Sequence, residues 1–195
     1  MIAYPLQLTF KVPAIAPQIS VTDAAGRLLL YVKQKAFKLK EKVTVYEDAA
    51  QTRPLYTIAA DRVIDISAQY EITTASGGRL GAVKRRGMRS IWKAHYDVLR
   101  DGAAVMTIRE ENAWTKVLDG LLGEVPVLGM FTGYFFHPAY VVARPDGAGL
   151  LRVAKQPAFF EGRYEITKLG AASSAEEELA LLSALMMVLL ERTRG

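Results

Sequence analysis

The residues able to carry chemistry in this chain are few, and their types point to binding before catalysis. The densest polar cluster is Lys84-Arg85-Arg86-Gly87-Met88-Arg89, with Lys93 close behind. Clustered Lys and Arg attract anionic lipid head groups. The neighbouring Met88 and Trp92 add apolar area of the kind that settles at a membrane interface. Lys84, Arg85, Arg86, Arg89 and Lys93 are therefore the candidate ligand-binding residues. A strand-to-strand turn made cationic for solubility accounts for the same residues, and is the plainer reading while their position is unknown. A second run, Lys33, Lys35, Lys38, Lys40 and Lys42, alternates with Phe37 and Leu39, so a strand would carry its cations on one face. A solvated barrel exterior is the simpler account of that run.

Catalytic chemistry finds little support. The chain has two histidines, His95 and His137, and no cysteine. A metal site or a His-dependent triad needs convergent partners, whereas His95 lies in an alternating strand pattern and His137 precedes Pro138 in a turn. No G-x-S-x-G, H-E-x-x-H or phosphate-loop motif occurs. Gly77-Gly78-Arg79-Leu80-Gly81 lacks the Lys-Ser/Thr of a phosphate loop and reads as a turn. The expectation is a protein that is not an enzyme, with no catalytic residue, no metal site and no cofactor. Nucleic acid is a weak candidate partner: the hairpin Arg85–Tyr96 is basic and aromatic, but no recognised binding motif is present and the net charge is only +5. Gly129-Met130-Phe131-Thr132-Gly133 has G-x-x-x-G spacing, which has meaning only inside a membrane helix. Flanking Pro126 and Pro138 argue for a glycine-bearing strand there.

The elements that must position these groups are mostly short strands. Four times an extended segment enters an Asp- or Gly-rich turn and returns as an apolar strand ending on a cation. The pairs are 19–22 with Leu28–Lys33, 70–73 with Leu80–Lys84, 96–99 with Ala104–Arg109, and 140–142 with Leu150–Lys155. Gly takes positive φ without strain and Asp closes local turns, so the turn chemistry suits hairpins. Tyr-Glu-Ile-Thr occurs at 70–73 and 164–167, and Lys-Gln-x-Ala-Phe at 33–37 and 155–159, which supports repeated strand units. Further strands are expected at 6–12, 37–39, 43–46, 55–58, 63–66, 90–92, 128–135 and 164–169. Trp114, Val117, Leu118 and Leu121 have helical spacing. Closely spaced strands of this number, about a dozen, indicate a sandwich or barrel.

The segment Leu179–Leu190 is apolar on every side, broken only by Ser183. Such a helix must be surrounded by protein or lipid. Its twelve-residue run falls short of the ~20 needed to span a bilayer, and Glu176–Glu178 and Glu191 flank it. Ser174 and Glu177 have capping-box spacing, and the Ser183 hydroxyl can bond back to the Leu179 carbonyl. A helix is about 10–12 Å across, which fits the lumen that some twelve strands would leave. The expectation is one domain over residues 1–195, mainly β. It is a closed antiparallel barrel of about twelve strands around a buried hydrophobic helix at 174–193, with neither a transmembrane span nor a signal peptide.

The chain resembles the LURP-one-related proteins, which share the tubby-like fold with phospholipid scramblases and Tubby domains. The resemblance is carried by Pro5-Leu6 to Pro17-Gln18-Ile19, by Asp23 and Gly26 with Tyr31–Lys35, by Phe37–Glu41, and by the hairpin succession closed with an apolar helix. It implies a twelve-stranded barrel around a C-terminal helix. Tubby domains bind phosphoinositides and scramblases act on membrane lipids, so it also implies anionic phospholipid head groups as a partner. The chain lacks the cysteines and the acidic calcium segment of scramblases, which speaks against scramblase activity. The functional expectation is a cytoplasmic, peripheral module that binds phospholipid through a basic rim. The alternatives are a protein-interaction scaffold without lipid binding, or a scramblase-like protein anchored by its C-terminal helix.

Overall fold

The computed structural model describes residues 2–11, 18–33, 42–61, 69–86, 95–111, 138–157 and 161–192. Twelve strands run in order: β1 Leu6–Lys11, β2 Gln18–Thr22, β3 Leu28–Lys33, β4 Lys42–Tyr46, β5 Pro54–Ala60, β6 Gln69–Thr74, β7 Arg79–Arg85, β8 His95–Arg100, β9 Ala103–Glu110, β10 Ala139–Ala143, β11 Gly149–Gln156 and β12 Glu161–Lys168. One helix, α1 Ser174–Arg192, follows. Each strand pairs antiparallel with its sequence neighbour, and β1 pairs β12 from Leu6↔Ile166 to Lys11↔Glu161, closing the barrel. The expected closed antiparallel barrel around a buried helix is what the chain forms. The strands expected at 37–39, 63–66, 90–92 and 128–135, and the helical spacing at 114–121, lie outside the described residues.

Period-2 alternation drives closure. In β1, Leu6, Leu8 and Phe10 point inward and are buried, while Lys11 is exposed. The same pattern in β2 buries Ile19 and Val21. Four of the tight turns carry a positive-φ glycine: Gly26, Gly77, Gly102 and Gly147. At the β8–β9 turn both central residues, Asp101 and Gly102, have positive φ (51° and 81°), which matches the twist of a two-residue hairpin. Asp23, buried beside the β2–β3 turn, accepts from the backbone N–H of Ala25 (3.0 Å) and Arg27 (2.9 Å) and fixes that corner.

α1 fills the lumen. Its residues from Leu179 to Leu189 are all buried, so the apolar surface faces protein on every side. The helix lies against β7, β8 and β11. Gly81 of β7 permits that approach, since a Cβ there would sit 2.5 Å from the Leu99 carbonyl oxygen and 2.9 Å from Leu179 Cδ1. The capping box is one residue earlier than the sequence spacing suggests. Ser173 Oγ accepts from the Glu176 N–H (3.2 Å), and Glu176 Oε2 accepts from the Ser173 N–H (3.0 Å). Arg144, just past β10, donates to both Glu176 oxygens at 2.9 and 3.1 Å. That hydrogen-bonded guanidinium holds the Glu176 carboxyl down at about 2. Glu177 instead pairs with Lys168 at 2.5 Å.

The back-bond expected of Ser183 does not form: its Oγ is fully buried and has no hydrogen-bond partner. An unmet buried hydroxyl costs on the order of 1–3 kcal/mol. Ser183→Ala is therefore expected to raise stability by about 1 kcal/mol, read as a higher urea midpoint with an unchanged slope.

Candidate functional site

Strand direction sorts the side chains into two ends. β1, β3, β5, β7, β9 and β11 all finish at the end where α1 finishes, because the ladder is antiparallel throughout. The sequence-derived cluster sits there, at the end of β7, but alternation divides it. Val83 and Arg85 point inward, whereas Lys84 and Arg86 point out. Arg85 is only 18% exposed; its guanidinium lies 5.8 Å from the centroid of the Tyr96 ring and 4.0 Å from a Glu191 oxygen on α1. Tyr96, fully buried, donates its hydroxyl to the same Glu191 carboxylate. Burial, then Glu191, pushes the Tyr96 phenol well above the ordinary tyrosine value. Burial raises Tyr140 and Tyr164 as well. Arg192 caps the helix, 4.5 Å from the Phe10 ring centroid. Arg85 thus seals the mouth around the helix end and does not face solvent as a ligand cation would.

Arg86 is exposed, but its Nε donates to Asp97 Oδ2 of β8 at 2.6 Å. His95 Nε2 lies 3.9 Å from Asp97 Oδ1, beyond hydrogen-bond range. Burial first, then Arg109 and Arg86, lower the His95 pKa, so the imidazole is neutral at physiological pH. Lys84 alone of the three described cluster residues is exposed without an ion-pair partner. Arg89 and Lys93 lie outside the described residues, as do His137, the 129–133 glycine pair and Lys35, Lys38 and Lys40.

Other cations, dispersed along the sequence, join Lys84. Lys11 and Lys33 end β1 and β3, Lys155 is the penultimate residue of β11, and Lys42 begins β4. All are exposed at the same end, and Arg109 near the end of β9 is exposed beside them. No carboxylate among the described residues forms an ion pair with any of the five lysines. The opposite end differs. There Arg53 pairs with Glu47 (3.0 Å), Arg79 with Glu71 (2.8 Å), Arg144 with Glu176 and Lys168 with Glu177. The signal was present in the sequence: the repeated unit ends its second strand on a cation, at Lys33, Lys84, Arg109 and Lys155. Those strands are odd-numbered, so the fold gathers the four on one rim.

Among the described residues, no group of three His, Asp or Glu side chains is placed to hold a metal ion. No helix of the described residues is long and apolar enough to cross a membrane.

A closed twelve-stranded antiparallel barrel threaded by an apolar helix is the architecture that the sequence resemblance implies. The chain belongs to the LURP-one-related family, whose model matches residues 28–190. It is similar in fold to an Arabidopsis thaliana protein known from an X-ray structure, with 17% identity over 98% of this chain and 93% of that one, and a TM-score of 0.49. No curated protein matches the chain in sequence.

Proposed function

We propose that this LURP-one-related domain is a non-enzymatic module that docks on anionic phospholipid surfaces at the cytoplasmic side, through its lysine-bearing rim. One observation carries the reading: Lys11, Lys33, Lys42, Lys84 and Lys155 are exposed together at one barrel end without carboxylate partners among the described residues, while Arg53, Arg79, Arg144 and Lys168 of the other end are each paired with a carboxylate. Each Lys near an anionic bilayer contributes about 1 kcal/mol. Five add to about 5 kcal/mol, or roughly three and a half orders of magnitude in partitioning. The binding group is revised from the contiguous cluster: Lys84 stays, Arg85 serves the mouth, and Arg86 is held by Asp97. The polar groups of the mouth engage one another as Tyr96, Glu191 and Arg85, an arrangement that favours a packed seal over a reactive centre.

Co-sedimentation with vesicles tests the proposal. The protein is expected to pellet with vesicles containing phosphatidylserine and not with pure phosphatidylcholine, and to be released by salt. The variant K33E/K42E/K84E/K155E is expected to lose that binding while its thermal unfolding midpoint stays put. Equal, negligible binding to both vesicle types sinks the reading. Capture of an acidic protein by the same rim without vesicle binding establishes a scaffold instead.

A further inference from the structure

Among the described residues the barrel wall is thinnest between β3 and β4, which share a single register pair, Tyr31↔Tyr46, whereas the other neighbours share four or more. The helix leans the other way, onto β7, β8 and β11. Between the helix and the thin wall lies a cavity of about 450 Å³, within the range of small-ligand sites. Its lining is largely apolar and includes Ile2, Leu29, Leu55, Tyr56, Leu181 and Leu182. It sits by the helix N-terminus, at the end away from the lysine rim, so it is independent of vesicle docking.

Charge on its rim selects the occupant. Lys168, Glu177 and Glu178 all line the opening. Lys168 is engaged by Glu177 at 2.5 Å. Glu178 has no ion-pair partner among the described residues. Its neighbour is the Tyr56 phenol, a second rim group. The helix N-terminus opposes a cation with about half a unit of positive charge. Two carboxylates and one ammonium leave the rim at about −1 before that correction, so the balance still favours a cation over an anion.

We propose that this slot binds a linear cationic amphiphile, with the alkyl chain along Leu29, Leu55, Leu181 and Leu182 and the ammonium at Glu178. The class is a long-chain primary amine. A fatty carboxylate of the same length would set its charge against Glu177 and Glu178.

Displacement of the neutral fluorophore N-phenyl-1-naphthylamine tests this, with decylamine, decanol and decanoate as competitors below their micellar concentrations. Thermal unfolding of each mixture checks that the protein stays folded. Decylamine is expected to displace the fluorophore about tenfold more effectively than decanoate, with decanol between them. Glu178→Gln is expected to narrow that ratio to about twofold. Leu55→Trp, which fills the slot from its edge, is expected to abolish fluorophore uptake; Leu29→Trp is the second such variant should the first not fold. The proposal is overturned by no uptake in the unmodified protein, by decanoate matching decylamine, or by uptake that survives a folded slot-filling variant.

Discussion

Deletion of residues 174–195 is expected to yield no soluble folded protein. The eleven residues from Leu179 to Leu189 are all buried in the barrel. Eight of them are Leu, Met or Val, each worth about 1.5–3 kcal/mol on burial. Even the lower figure gives about 12 kcal/mol, the scale of a whole domain's stability. The truncated sheet would enclose a dewetted or flooded lumen and would expose the inward faces of its strands. Expression followed by gel filtration and circular dichroism checks this. A monomeric, cooperatively unfolding remainder would return the segment to the role of a detachable anchor and would contradict the packing described above.

Gly81→Ala is expected to cost about 3 kcal/mol, and Gly81→Val to prevent folding. The added Cβ meets the Leu99 carbonyl oxygen at 2.5 Å, and that oxygen belongs to the ladder between β7 and β8. Backbone of a closed barrel cannot retreat without disturbing its other neighbour. On the opposite side, Leu179 Cδ1 stands at 2.9 Å, so the helix would also have to move. Gly162→Ala is the matched control, because its nearest neighbour, Phe10 Cδ2, is at an ordinary 3.5 Å. Urea unfolding should place the control within about 0.5 kcal/mol of the unmodified protein. Equal losses at the two positions would show that the glycines matter through backbone freedom and not through close approach.

The fold was legible because two periods were clean. Alternation in segments such as Leu6–Lys11, with Gly or Asp at each corner, defined the hairpins, and the all-round apolar helix required a container. The capping box was misplaced by one residue because Ser173-Ser174 and Glu176-Glu177-Glu178 offer the same spacing twice. Arg144, distant in sequence, selects Glu176 and so sets the register. The basic cluster was read as one patch, although period 2 already sends Arg85 to the side of Val83. Its partners, Glu191 and Tyr96, come from elements that sequence spacing does not connect. The lysine rim was half visible as a cation ending each hairpin, but its assembly needed closure of the sheet. The sparse β3–β4 pairing among the described residues left no mark, since neither strand's composition records it.

The position of the helix after all twelve strands bears on how the protein is made. During synthesis, β1 emerges well ahead of its partner β12: Leu6 pairs with Ile166, some 160 residues further along the chain. The core that all the strands share is translated after every one of them. A nascent chain therefore carries a succession of hairpins whose inward faces lack their shared core until α1 has emerged. Non-local closure of this kind is slow and leaves sheet edges open to other chains. Until α1 is made and docked, the open sheet edges of this barrel are exposed to association with other chains.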